Sequence, residues 1–415
     1  MQLKSFKLKV RAEWMLLMCA FAFCFVLNSG AQIIILGSMI ILLTLMNLKI
    51  EKQHVKCGFL WYLYPLGIAL ANNAGNAHWI APSIKFFLLA TAVSVGPILK
   101  ISDVEKDLLF VEKLGMVCAI SVILERLIPR LFFSTIYKLY SVETQMVLQN
   151  QVAAKTYYSG IAPEPSIAAG IIVFAIISVV ASKERSTIKY ILLVGGMLLT
   201  GKRSHIVFLA ATLVVNRLLQ STGRKKFIRF FTIMFGSVLF VFFIFRFLLY
   251  FQEIIGIGAM ARITEAVHLL SGKMDDGVLN YITSGRYSTY KAAWEYFLKN
   301  PIRGIGWGTF GGIYYNEWLG TYLTGVHNAY LQFLCEGGLL GFLSFVIPSL
   351  ATLKLGVARL KNEIDPTRKK ERNFSVLMQV FFLLYSMTEV SFDLPIYYIS
   401  YYYAVLLSLK LPYAS

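Results

Sequence analysis

Apolar runs of a dozen or more residues, parted by short charged or glycine- and proline-bearing breaks, recur along most of the chain. Runs stand near 14–28, 31–48, 58–71, 82–99, 108–128, 161–181, 188–200, 204–219, 230–251, 328–353, 374–390 and 395–410. About 18 consecutive apolar residues suffice to cross a bilayer as a helix. The pattern therefore predicts an all-α, polytopic membrane protein of about twelve spans, the shorter ones tilted, broken or only partly crossing. One long interruption, 252–327, divides the chain. Residues 1–251 carry nine spans, 252–327 form a large loop containing amphipathic helices, and 328–415 carry the last three.

Composition agrees. Of the 415 residues 57% are hydrophobic and 15% charged, against about 25% charged in soluble domains. The net charge of +18 is then a matter of sidedness, and no nucleic-acid partner is implied. Alternating the connections collects the N-terminus (Lys4, Lys7, Lys9, Arg11), 49–56, 183–189, 217–229 and 354–372, the last with seven Lys/Arg, on one side. The short loops 28–31 and 72–79 on the other side carry none. Positive charge marks the cytoplasmic face. Both termini are thus expected in the cytoplasm, the N-terminal run as an uncleaved first helix, and 129–160 and 252–327 outside. The five cysteines lie in or beside apolar segments with no metal or disulfide spacing, as small hydrophobes do.

Within the large loop, Tyr287, Tyr290, Trp294 and Phe297 recur at spacings of 3, 4 and 3, one face of a helix over 286–298. Ser284 is its expected N-cap and Asn300-Pro301 its stop. The aromatic face is expected at the lipid interface. Gly304, Gly306, Gly308, Gly311 and Gly312 follow, a backbone able to approach a ligand closely. The GIGWGTFGG run lacks the strand and helix flanks of a nucleotide loop. Next comes His327-Asn328 at the mouth of an apolar helix whose Gly337-xxx-Gly341 spacing permits close packing.

Three groups of polar residues stand near the outer membrane face. Lys202 and Arg203, in TGKRSH between two spans, either snorkel to headgroups or face a phosphate, for which a guanidinium fork is suited. His327 either orients the loop or offers an acceptor or cation near neutral pH. Glu164, framed by Pro163 and Pro165, is either an acid favoured by a helix N-terminus or a base for a sugar hydroxyl. Arg286 and Arg303 flank the amphipathic helix, each alone more readily a surface residue. No His/Asp/Glu cluster has metal spacing, and no serine nucleophile elbow is present; Asp275-Asp276 come nearest to a metal-ready pair.

SGRYSTYKAAWEYFLKNPIRGIGWGTF, followed by HNAYLQFLCEGGLLGF, resembles the signature of bacterial O-antigen polymerases of the Wzy type and O-antigen ligases. These are multi-spanning inner-membrane glycosyltransferases with a large periplasmic loop before a late helix. The resemblance covers mainly 284–342 and 200–205. It implies that His327, Arg203 and Arg286 act in catalysis and in binding a lipid pyrophosphate, with Lys202 and Arg303 as further pyrophosphate ligands. Glu164-Pro165-Ser166 looks like the EPS triplet of many polymerases. A polymerase would move a growing glycan from undecaprenyl pyrophosphate to an incoming lipid-linked repeat, with Glu164 the candidate base. No nucleotide sugar, metal or other cofactor is implied, since pyrophosphate is already the leaving group. Membrane lipids and an undecaprenyl-pyrophosphate-linked oligosaccharide are the implied partners, with a chain-length regulator and a flippase as candidates. A ligase would use lipid A–core as acceptor. A transporter or flippase is the reading from another class, disfavoured because the polar groups gather at one membrane face rather than at the midplane.

Overall fold

The structure, a computed structural model, describes residues 60–72, 104–183, 186–220, 276–317, 320–322, 325–392 and 394–409. The spans expected near 14–28, 31–48, 82–99 and 230–251, and part of the large loop, lie outside the described residues. The regular structure of the described part is helical but for one two-residue antiparallel pair, β1 (Tyr315–Asn316) and β2 (Thr321–Tyr322). A 3₁₀ turn at Leu60–Tyr62 leads into α1 (Leu63–Ala71). Then come α2 (Val104–Leu127), α3 (Pro129–Ser134), α4 (Val142–Ala153), α5 (Pro165–Ser182), α6 (Thr187–Leu199) and α7 (Arg203–Leu219). The large loop holds α8 (Asp276–Thr283), α9 (Arg286–Lys299) and the single turn α10 (Phe310–Ile313). The chain closes with α11 (Ala329–Asn362), α12 (Pro366–Tyr385) and α13 (Pro395–Leu409).

Among the described residues two helices, α5 and α11, are long and apolar enough to cross a membrane. Three shorter apolar helices, at Leu60–Ala71, Thr187–Leu199 and Ile396–Leu409, coincide with expected spans. α2 and α12 also fall on apolar runs but begin in charged sequence, VEKD and PTRKKER.

α5 and α13 are buried on nearly every face, as helices apolar all round must be. Around them α2 keeps an exposed apolar stripe of Leu109, Val117, Ile120 and Leu124. In lipid, where tails are as apolar as leucine, such helices are held by close packing and hydrogen bonds. Gly115 lets α2 approach α5 until a Cβ there would lie 2.1 Å from that of Ala175. Tyr64 of α1 donates to the Phe345 carbonyl and meets the Ser349 hydroxyl on α11, at 2.9 and 2.7 Å.

Three expectations change. The loop expected over 354–372 is mostly helix: α11 runs to Asn362 and Asp365 caps α12, its side chain accepting from the Thr367 amide at 2.8 Å. Charged side chains outside the bilayer do not end a helix, whereas Pro366 suits a helix start. Ser284 is not the cap of α9, because Gly285, at φ 78°, occupies that position with no side-chain cap bond. The aromatic stripe of α9 splits as well. Thr289, Ala293 and Phe297 are buried, while Trp294 is 46% exposed. Ala293 packs with Phe310, Val326 and Cys335, so part of the apolar face of α9 is spent on its own chain, while Trp294 and Leu298 stay exposed.

α11 is broken at Gly338 (φ 58°, ψ −158°), which strands backbone groups that must find partners. The glycine-rich loop supplies them. The Ile305 and Gly306 amides donate to the carbonyls of Cys335 and Glu336 at 2.9 and 3.0 Å. The Leu339 and Leu340 amides donate to those of Pro301 and Ile302 at 2.9 and 3.3 Å. A Cβ on Gly304 would sit 2.5 Å from the Glu336 carbonyl. The close backbone approach that these glycines permit is therefore to their own helix.

Candidate functional site at one end of the bundle

Six helix ends meet beside His327. Ala329, first in α11, donates its amide to the Ser386 carbonyl just past α12, at 2.8 Å. Tyr397 in the first turn of α13 donates to the Ser166 carbonyl at the start of α5, at 2.5 Å. The Nε2 of His205, in the first turn of α7, lies 2.6 Å from the Tyr397 hydroxyl. The N-termini of α5, α7, α11 and α13 thus share one end of the bundle with the C-terminus of α12 and that of α6, which the three residues Thr200, Gly201 and Lys202 join to α7. Helix N-termini carry partial positive charge and unsatisfied amides, which favour anions.

His327 sits just before α11 in the left-handed region, φ 55°, a conformation that costs a non-glycine residue about 1–3 kcal/mol. Its neighbours hold it there. Tyr290 of α9 donates its hydroxyl to the His327 carbonyl at 3.0 Å. Asn328 caps α11 by accepting from the Leu331 amide at 3.1 Å. The ring faces Glu389, in the turn joining α12 to α13, with Nδ1 2.8 Å from Oε1. An ionised carboxylate only accepts, so Nδ1 carries the proton and Nε2 is left as the acceptor. The His327 side chain is 35% exposed, and Nε2 takes no protein partner among the described residues.

Arg286, first in α9, reaches the same turn. Its Nη1 donates to the Thr388 carbonyl at 2.8 Å, and its Nη2 lies 3.7 Å from Oε2 of Glu389. Burial raises the pKa of Glu389, but the hydrogen bond from His327, the charges of His327 and Arg286, and the Val390 amide outweigh it, so the carboxyl is held below its ordinary range. Burial pushes the Tyr290 phenol up, and Arg286 opposes that.

The remaining candidates fall around this group in different ways. Lys202 lies 5.4 Å over the ring of Tyr157 and Arg203 opens α7, next in sequence. Lys202 and Glu389 both act electrostatically on His205. Glu164 is exposed at the N-cap of α5, where its carboxylate accepts the Ser166 hydroxyl. Glu164, Glu389 and Arg286 all act on Tyr385. Arg303 is exposed in the turn that docks on the break at Gly338 and makes no polar contact with His327, Glu389 or Arg286 among the described residues.

Glu389 escaped the sequence reading because 374–390 scans as one apolar span. A carboxylate at the outer end of a span, facing no cation in sequence, is the signal that would have found it. Glu336 was missed likewise. It is 1% exposed inside α11, where it accepts the Phe310 amide at 3.0 Å and the Gln332 side-chain amide at 3.1 Å.

Fold and site together define a helical bundle, apolar on its flanks, with a histidine, arginines and four helix N-termini converging at one end. Residues 188–346, from α6 into α11, match the family described as O-antigen ligase, which supports the resemblance to the O-antigen polymerase/ligase superfamily. The matched stretch holds Lys202, Arg203, Arg286, Arg303 and His327, and leaves Glu164 and Glu389 outside. It does not separate polymerases from ligases. No curated protein matches the chain.

Proposed function

We propose that the protein is a bacterial inner-membrane O-antigen polymerase of about twelve spans, with both termini cytoplasmic and 252–327 periplasmic. It transfers a growing glycan from undecaprenyl pyrophosphate to an incoming lipid-linked repeat, without a metal. The observation that carries the reading is the gathering of His327, Arg286, Lys202, Arg203 and Glu164 around four helix N-termini, in a chain whose 188–346 stretch matches this superfamily. Such an end can hold a dianion, and pyrophosphate is the charge that grows as the glycosidic carbon is released.

Arg203 and Arg286 hold and neutralise the departing pyrophosphate, and Lys202 adds a mobile charge beside them. Arg303, exposed on the loop, serves the outer part of the lipid-linked substrate. Nε2 of His327 accepts the proton of the incoming sugar hydroxyl, whose oxygen attacks the anomeric carbon as the bond to pyrophosphate breaks. The electron pair leaves with the pyrophosphate, and in-line attack inverts the carbon. Glu164, across the site on α5, orients that hydroxyl. A carboxylate and an imidazole on different helices give the enzyme two acceptors for one neutral acceptor sugar. A chain-length regulator and a flippase are the partners this role calls for.

The second reading is the ligase, favoured by the description of the matching family. Its acceptor would be lipid A–core. Purified protein given only the undecaprenyl-pyrophosphate repeat should make a ladder of longer glycans on that lipid, in EDTA as without it. Arg203→Ala and His327→Ala should abolish the ladder at normal protein abundance, and Glu164→Gln should shorten it. A protein that makes no ladder but moves preformed glycan to lipid A–core is a ligase. Loss of the ladder in EDTA, restored by Mg²⁺, refutes the metal-free chemistry.

A further inference from the structure

We infer that Glu389 is the positioning residue of this reaction: one carboxylate oxygen fixes the His327 ring with Nε2 as acceptor, and the other holds Arg286 beside it until a donor phosphate takes that guanidinium. The inference rests on the glycan-transfer reading above.

The geometry supplies both halves. Oε1 lies 2.8 Å from His327 Nδ1, within hydrogen-bond range, and Oε2 lies 3.7 Å from Arg286 Nη2, beyond it. The imidazole is therefore held tightly and the guanidinium loosely. Arg286 is anchored through Nη1 on the Thr388 carbonyl, and its side chain is 33% exposed. A phosphate can take up its remaining donors without unseating it. A ring gripped at Nδ1 by an anion has one tautomer and one orientation, and the resulting imidazolium is stabilised as Nε2 gains its proton. When phosphate engages Arg286, the carboxylate loses part of its competing cation and acts more fully on His327. Donor binding would thereby ready the base.

In the step itself, the acceptor O–H bond breaks to Nε2, the new C–O bond forms, and the anomeric C–O bond to pyrophosphate breaks. His327 returns its proton to solvent after the pyrophosphate-lipid departs. Glu389 keeps its charge throughout.

Other groups act on the same carboxylate. Tyr290 approaches from α9, Tyr385 from the end of α12, Tyr397 from α13 and His205 from α7. Lys202 acts on His205, and Glu164 acts on Tyr385 and Tyr397. Closest to the carboxylate are the His327 ring and the Val390 amide, 2.8 and 3.3 Å from Oε1.

The test is kcat and KM for the purified full-length protein and its Glu389→Gln and Glu389→Asp variants, in whichever transfer the wild type performs, to a lipid-linked repeat or to lipid A–core. Glu389→Gln should lower kcat on the order of 10²- to 10⁴-fold, because the amide can hold the wrong tautomer. KM for the lipid-linked donor should change little, because Arg286 keeps its anchor on the Thr388 carbonyl. Glu389→Asp, one methylene short with its charge kept, should recover part of the lost kcat. Wild-type kcat in either Glu389 variant, a loss confined to KM, or no recovery in Glu389→Asp over Glu389→Gln overturns the inference and leaves the glycan-transfer reading standing. If Glu389→Gln does not accumulate, the kcat and KM of Glu389→Asp decide. A wild type that transfers to neither acceptor sinks that reading, and this inference with it.

Discussion

Replacing Gly338 by alanine should unseat the glycine-rich loop and with it the support of the site. Two costs add at that position. Its backbone, φ 58° and ψ −158°, lies in a region that L side chains rarely adopt, worth about 1–3 kcal/mol. A Cβ would also lie 2.4 Å from the Ile302 carbonyl carbon and oxygen and 2.7 Å from the Arg303 amide. Those are backbone atoms in a turn pinned by four hydrogen bonds to α11, so relief requires moving the turn, at roughly 1–3 kcal/mol. The sum is about 2–6 kcal/mol, drawn from the junction that carries α9, the 301–312 loop and the start of α11. Gly312 is the control, since it belongs to the same glycine-rich run and a Cβ there meets nothing within 4 Å. Thermal unfolding in detergent, followed by tryptophan fluorescence and by protease sensitivity of the loop, should show a large drop for Gly338→Ala and almost none for Gly312→Ala. Equal midpoints for the two variants would refute the claim that the run is organised by docking at the helix break.

Two further outcomes are expected. A single cysteine introduced near Asp275 should be labelled from the periplasmic side and one near Lys369 should not; the reverse pattern overturns the orientation. Glu125, fully buried at the end of α2, accepts the Ser159 and Gly160 amides and the Tyr137 hydroxyl. Glu125→Gln turns one acceptor into a donor facing donors, so the protein should lose about 1–3 kcal/mol and 129–160 should become protease-sensitive, and unchanged resistance would refute that account.

What the sequence determined by itself was whatever depends on periodicity and on strong local signals. Apolar runs marked α5, α6, α7 and α13 to within a few residues, because a helix must close its hydrogen bonds inside its own segment and needs only length and apolarity to be recognised. Asn300-Pro301 stopped α9 where expected, since proline constrains the residue before it whatever the fold. Lys202 and Arg203 stood out because cations at an outer helix junction run against the charge bias of the other loops, and Arg286 only through the family resemblance. The tertiary structure decided the rest, and each case turned on a partner far along the chain. Whether the glycines of 304–308 meet a ligand or a helix depended on Gly338, whose break exposes the carbonyls they bind. Which apolar residues of α9 are buried depended on Phe310, Val326 and Cys335. Glu389, 62 residues from His327, reads in sequence as the last polar residue of an apolar span. It becomes a partner of the imidazole and of Arg286 only when α9, α11 and the turn after α12 are brought to one point. A side chain's local pattern sets the element it joins, but a carboxylate's role is set by the charges it faces, and those arrive through packing.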